Sequence, residues 1–418
     1  YARMKRIQTI LQSLDQLSSA YRLSGDRQYA SKIAVILNRF AEVYPDYPVH
    51  GPGKTYYLAQ LDGWVDYYFD PNPPHNQLSG RIYIYLPHEL YYIGKAMDAY
   101  DAIYQSGELE TLGRVKNRDM KAFIEQNLLH SGANFTSEYD FTYGDGDTNS
   151  ASGLIKSGLC LDEPDYIHLG MKIIEGQLIN LYMPDGYVNQ SPSYHYGMLE
   201  MIHMIPELLM DYSDPPGFAS NHARFRYDNL NLYKEYPVLQ ELFFASLPLY
   251  YPNGMICPVE DTMTNTGLDN LDLARALAHL RFDAPAFPPP NRELFLYKAA
   301  TSGKTESIPD AFQPGESFLM SSYGHVVMNA LEKPHQVQLH FDFGSFMTHH
   351  HFDCMNLLLF AGGDELLSEV GYTYTSMRPF STGSYSHNLV VVNGVRQYAD
   401  GGGLRSLAAN IGKPHKYP

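Results

Sequence analysis

Val337-Gln338-Leu339-His340-Phe341-Asp342-Phe343 places an apolar residue at every second position, the period of a half-buried β-strand. Runs at 356–360, 366–368 and 389–392 read the same way, and Asn393-Gly394 supplies the positive-φ pair of a tight hairpin turn. Upstream the period is helical. Ile7, Ile10, Leu11 and Leu14, then Ile33, Ile36, Leu37, Phe40 and Ala41, recur at the spacing of one helix face. Further helices are predicted near 88–106, 110–129, 150–160, 164–182, 195–212, 234–247 and 268–281. They are broken by loops such as Pro45-Asp46-Tyr47-Pro48 and Asp214-Pro215-Pro216-Gly217. The period changes around Phe287-Pro288-Pro289-Pro290 and the segment 302–316.

Many helices in series, with no strict repeat, favour a ring of helix pairs over a regular repeat array. The expected fold is multidomain α+β: an N-terminal (α/α) toroid over 1–300, a linker over 301–315 and an antiparallel β-sheet domain of β-sandwich type over 316–418. Lys413-Pro414-His415-Lys416-Tyr417-Pro418 closes no strand pattern, which leaves room for the sheet to continue in a longer parent chain.

The 418 residues are too many for one small core. With 30 Lys and Arg against 46 Asp and Glu, the net charge of −16 argues against nucleic acid or an anionic membrane surface as main partner. No run of about 18 apolar residues is present, so no membrane-inserted helix is expected. Tyr1-Ala2-Arg3-Met4-Lys5-Arg6 leads straight into a helical pattern without the charged start, apolar stretch and cleavage site of a signal peptide, so any export signal is expected to be either absent or already removed. Cys160, Cys257 and Cys354 show no CxxC spacing and read as buried thiols.

The densest polar cluster is Thr348-His349-His350-His351-Phe352-Asp353. In an extended segment His349 and His351 share one face and His350 points away. Glu369 follows, then His387; two imidazoles, a carboxylate and a water make a tetrahedral Zn²⁺ site. A solvated loop explains three adjacent histidines equally well. In the helical half, Tyr143-Gly144-Asp145-Gly146-Asp147-Thr148-Asn149-Ser150 combines turn-forming glycines with Asn149 at a helix start, where Asp147, Thr148 or Asn149 can also act simply as a cap. Asp185-Gly186-Tyr187-Val188-Asn189-Gln190-Ser191-Pro192-Ser193-Tyr194-His195-Tyr196 is a polar, aromatic turn between apolar helices. Among 35 tyrosines, one Tyr means little without its context.

The run from His349 through Asp353, Gly362-Gly363, Glu369-Val370-Gly371, Ser386-His387-Asn388 and Val392-Asn393-Gly394 resembles the heparinase II/III-type polysaccharide lyases. The order extends into the helical half, where Asn149 follows a Gly-rich loop and Ser191-Pro192-Ser193-Tyr194-His195 resembles the family's segment with a catalytic Tyr. The resemblance covers roughly 30 to 400 and implies a toroid followed by antiparallel sheets. It also implies β-elimination at a uronic acid, leaving a 4,5-unsaturated end. By this resemblance Tyr194 protonates the leaving oxygen, and for a proton on the same side also removes it. His349 is the base or charge stabiliser on the opposite side of the sugar, and Asn149 hydrogen-bonds the substrate carboxylate. His195, Tyr196 and Arg378 line the substrate, while His351, Glu369 and His387 hold a divalent metal, Zn²⁺ foremost, with Asp353 behind them. Glu369 stands where Asp is expected in many relatives. No organic cofactor is implied.

The expected partner is an acidic polysaccharide, with alginate first because few Lys and Arg are available to pair sulfates. Hyaluronan, heparan sulfate and chondroitin-type chains stay open. A bacterial periplasmic or secreted setting follows from the resemblance, and the oligomeric state is not readable. Two rivals remain: a toroid glycoside hydrolase using carboxylate pairs such as Asp145 with Asp147 or Glu260 with Asp261, and a non-catalytic glycan-binding protein.

Overall fold

The computed structural model describes residues 2–52, 69–70, 79–83, 85–184, 186–220, 222, 226–267, 281–282, 316–330, 336–344, 349–373 and 375–397. Nearly all of the helix expected over 268–281, the linker 301–315 and the segment 413–418 lie outside these residues. The chain forms two compact units: the first runs to Asn180 and includes Glu207–Asn231, and the second holds Leu181–Pro206 and the chain from Leu232 onward. The compact units therefore do not follow the change of period near residue 300. Helical segments from the middle of the chain group with the sheet.

The first unit is helical. Helix α1 spans Ala2–Ser24 and α2 spans Arg27–Val43. Asp26 starts α2 by accepting the Gln28 N–H at 2.9 Å, and the helix buries Ala30, Ile33, Ala34, Leu37, Phe40 and Ala41, while Ile36 of the face read from the sequence is half-buried. Helix α3 is Pro87–Ile103. The single helix expected over 110–129 is divided. Helix α4, Glu108–Lys116, ends at Asn117 with φ 51°, and Asp119 then caps α5, Met120–Ile124, by accepting the Ala122 N–H at 3.2 Å. A π-helical stretch, Glu125–His130, continues into a helix at Ser131–Ser137. Helix α6, Asp147–Leu161, packs against both α3 and α7, Pro164–Asn180. A side chain at Gly153 would collide with Leu90, so the contact of α6 with α3 requires a residue without Cβ.

In the second unit, α8 spans Pro192–Ile202 and α9 spans Val238–Ala245. The described strands from Phe318 onward form one five-stranded antiparallel sheet in sequence order: β1 Phe318–Met320, β2 His325–Ala330, β3 Val337–Asp342, β4 Asn356–Ala361 and β5 Asp364–Leu367. In β3 the period of two holds but the buried side is the polar one. Gln338, His340 and Asp342 are buried, while Val337, Leu339 and Phe341 are half-buried. The polar set continues across the sheet, because His325 pairs with Asp342 and Asp342 with Asn356. The expected strand at 389–392 does not form. Val390 and Val392 are exposed there, although Asn393 and Gly394 do take positive φ, 54° and 62°.

Candidate active site

Tyr194 sits in the first turn of α8. Pro192 provides the preset φ of a helix start, and the N-terminal turn, buried at Ser191 and Pro192, is bound to the segment 262–266. The Ser193 N–H donates to Thr262 Oγ1 at 3.4 Å, and Ser193 Oγ accepts from the Met263 N–H at 2.8 Å. These bonds place the Tyr194 ring against His349, with ring centroids 3.7 Å apart and planes at 19°. Tyr372 meets the Tyr194 ring edge-on at 6.5 Å. Its position depends on Gly371, which has φ 64° and lies so close to the Thr262 carbonyl that a Cβ would overlap it. The Tyr372 N–H then donates to that same carbonyl at 2.9 Å.

The three consecutive histidines lie in a loop between β3 and β4. His349 adopts φ 66°, yet the division of faces expected from an extended segment still results. His349 Nδ1 and His351 Nε2 both reach Asp261, at 3.2 and 2.9 Å, whereas His350 pairs with Glu260. Glu260 also accepts from the Tyr323 hydroxyl at 2.7 Å. Asp261 receives both arms of Arg378, each at 2.8 Å, a bidentate fork. Burial works to raise the Asp261 carboxyl, but the bonds from His349, His351 and Arg378 outweigh it and hold the group well below the usual carboxylate range. The Arg378 guanidinium also lies 5.2 Å from the Tyr372 ring centre. Asp261, Tyr372 and Asn356 were not assigned to the site from sequence; only the adjacent carboxylates Glu260 and Asp261 gave a signal, read there as an acid pair.

A second cluster adjoins Asp261 through His351. His351, Asp353 and His387 are buried and offer one ligand atom each, all within 4.8 Å of one another. His351 Nδ1, His387 Nε2 and Asp353 Oδ2 have no hydrogen-bond partner among the described residues. Glu369, expected as the carboxylate ligand, instead accepts from His387 Nδ1 at 2.7 Å and from Asn356 Nδ2 at 2.7 Å. In this arrangement Asp353 completes the trio and Glu369 fixes the ring of His387, an exchange of the two places read from the sequence. Burial, then the neighbouring Asp342, pushes the Asp353 carboxyl well above its ordinary value. Burial also lowers His351, while for His387 the carboxylates of Glu369 and Asp353 outweigh burial and raise it. Two imidazoles and a carboxyl that needs a cation to ionise are a donor set that fits Zn²⁺.

The remaining expected residues fall elsewhere. His195 is 1% exposed and accepts the Val188 N–H on Nδ1 at 3.1 Å while Nε2 donates to the Leu242 carbonyl at 3.1 Å. Both ring nitrogens are thus occupied by backbone, burial pushes the ring down to about 4, and Tyr187 stacks on it at 4.4 Å. Tyr196 is half-buried and two residues beyond Tyr194, about 200° around the helix, so it does not share the Tyr194 face. Asn149 belongs to the first unit, half-buried in the first turn of α6. No side chain caps that helix start. Asp147 ties the preceding loop instead, accepting from the Thr142 N–H at 3.0 Å and the Gly144 N–H at 3.3 Å. The left-handed residue in this loop is Tyr143, φ 58°, rather than a glycine.

Residues 313–412 match the family described as Heparinase II/III-like, C-terminal. An exo-oligoalginate lyase of Saccharophagus degradans is 21% identical over 417 residues, covering 89% of this chain and 50% of the relative. Heparinase III superimposes with a TM-score of 0.60 at 16% identity, over 93% of this chain and 55% of that one. Heparan sulfate lyase HepC of Pedobacter heparinus gives 0.55 at 14% identity, over 90% and 53%. The expected helical half followed by an antiparallel sheet is thus the heparinase III fold, and this chain spans about half the length of these relatives.

Proposed function

With a heparinase II/III-like C-terminal part and the heparinase III fold as premise, we propose that the chain is a polysaccharide lyase cleaving a uronic-acid polymer by β-elimination. The observation that carries the proposal is the stack of Tyr194 on His349, held beside the Asp261–Arg378 pair. The reaction removes the C5 proton; the released electron pair forms the C4=C5 bond, and the C4–O bond breaks onto an oxygen that must be protonated. Tyr194 is the acid for that oxygen. With ring centroids 3.7 Å apart, no sugar fits between Tyr194 and His349, so this geometry favours approach from one side of the sugar. It supports Tyr194 as both base and acid, with His349 beside the phenol to favour its ionised form, rather than His349 as base on the far side. Arg378 lies over Tyr372, the ring that meets Tyr194 edge-on, and Asp261 orients Arg378, His349 and His351 together.

Asn149 as the ligand of the substrate carboxylate is a separate part of the proposal, tested on its own by Asn149→Ala. His351, Asp353 and His387 would hold a divalent metal, backed by Glu369 and Asn356; when bound it supplies fixed positive charge that keeps the histidine loop rigid. The commitment of Glu260 to His350 and Tyr323, and of Asp261 to three donors, disfavours the hydrolase reading, which needs carboxylates available to substrate and water. Alginate is the lead substrate, supported by the scarcity of cations and by the similarity to an oligoalginate lyase. The test is digestion of alginate, hyaluronan, heparan sulfate and chondroitin sulfate, followed by the ultraviolet absorbance of unsaturated uronates. Gain on alginate supports the lyase reading and the alginate assignment; gain only on one of the other chains overturns the alginate assignment, and no gain on any overturns the lyase reading.

A further inference from the structure

The buried face of the sheet presents His325 and His340, and Cys257 packs against it from the preceding segment; the proposed reaction uses none of the three. Cys257, His325 and His340 are each 0% exposed. They offer one ligand atom apiece, all within 4.8 Å of one another. Their surroundings are apolar, since Cys257 belongs to a core cluster with Tyr251, Val259, Leu358 and Phe360. Polar groups in such a place are costly unless satisfied. A bond between His325 Nε2 and His340 Nδ1 at 3.0 Å joins the two rings, while His325 Nδ1 and His340 Nε2 have no hydrogen-bond partner among the described residues. Asp342 Oδ1 lies 3.6 Å from His325 Nδ1, behind the ring on the side away from His340. A carboxylate in that place is the usual support of a metal-bound imidazole.

We propose that Cys257, His325 and His340 form a second metal site, separate from the trio at His387, for a thiophilic divalent cation of the Zn²⁺ kind. One thiolate and two neutral imidazoles are ligands that this class of ion prefers. On binding, the Cys257 thiol releases its proton to solvent and its sulfur donates an electron pair to the ion; no redox change is involved. Bonds of about 2.0 Å at a tetrahedral angle set ligand nitrogens about 3.3 Å apart, so the two rings need part by only a few tenths of an ångström. Because the site is closed, the ion enters as the chain folds. It joins β2 and β3 to the segment that continues into Glu260 and Asp261.

The test is to unfold the 418-residue chain in chelator, refold it with Co²⁺ and record the near-ultraviolet sulfur-to-cobalt charge-transfer band, which a site without sulfur cannot produce. The expected result is one thiolate-bound cobalt per chain in the parent and in His387→Ala, with the band lost in Cys257→Ser. His340→Gln, which keeps the thiol, is a second variant in case Cys257→Ser does not fold; it should weaken cobalt binding at this site at least tenfold. A refolded parent chain without the band overturns the proposal, as does a band that survives Cys257→Ser or is unchanged in strength and affinity in His340→Gln.

Discussion

The ring of Tyr194 lies flat against that of His349, with centroids 3.7 Å apart and an interplanar angle of 19°. Such a stack contributes about 1 kcal/mol beyond area burial and survives loss of the phenolic oxygen. Tyr194→Phe is therefore expected to keep the melting temperature within a few degrees and to leave KM nearly unchanged while kcat falls by roughly 10²–10⁴. Steady-state kinetics beside thermal unfolding checks both halves. A variant with parental kcat removes Tyr194 from the chemistry.

A one-sided approach also selects among uronates. In mannuronate the C5–H and C4–O bonds lie on the same side of the ring, whereas in guluronate, the C5 epimer, they are opposed. Polymannuronate is expected to be cleaved faster than polyguluronate, by about tenfold or more if the second epimer needs a base that the stack does not supply. Initial rates on the two block polymers decide it; equal rates require a second proton acceptor away from Tyr194.

Asp261 is fully buried, whereas the Arg378 side chain is 34% exposed. Removing the carboxylate leaves two imidazoles and a guanidinium without their shared acceptor. Asp261→Ala is expected to cost about 3 kcal/mol in urea unfolding, below the upper range for buried pairs because solvent screens Arg378. Arg378→Ala should cost less, since Asp261 keeps both histidine bonds. A cost for Asp261→Ala within 0.5 kcal/mol of zero would contradict this role.

His195 is held neutral, its value pushed by burial down to about 4 from an ordinary value near 6.5. Between these values the unfolded chain binds the extra proton, so this group's contribution to stability is present above about pH 6.5 and is lost as pH falls toward 4. Acidification from pH 7 to pH 5 should therefore cost the parent about 2 kcal/mol more than it costs His195→Gln. Urea unfolding of both proteins at the two pH values gives the difference; identical pH dependence would show that His195 does not titrate this way.

Local signals in the sequence carried the architecture and part of the site. Helical spacing identified the buried face of α2, and period two identified β3, since these patterns depend on neighbouring residues alone. Which side of β3 is buried depended on what packs against it, and the side with Gln338, His340 and Asp342 lies inward. The histidine cluster and Tyr194 were visible as motifs. Asp261, 88 residues from His349 and 117 from Arg378, was not, because only the folded chain brings an acidic residue of a connecting loop under two histidines. His195 shows the converse: beside the proposed acid in sequence, it is turned inward by the helix and taken up by backbone.

Elimination and hydrolysis differ in the fate of solvent oxygen, which digestion of alginate in water enriched in ¹⁸O reads. Elimination gives new chain ends that absorb as 4,5-unsaturated uronates, with no ¹⁸O retained in the products beyond exchange at the reducing carbon. Saturated ends formed with stoichiometric ¹⁸O incorporation in step with bond cleavage would contradict it.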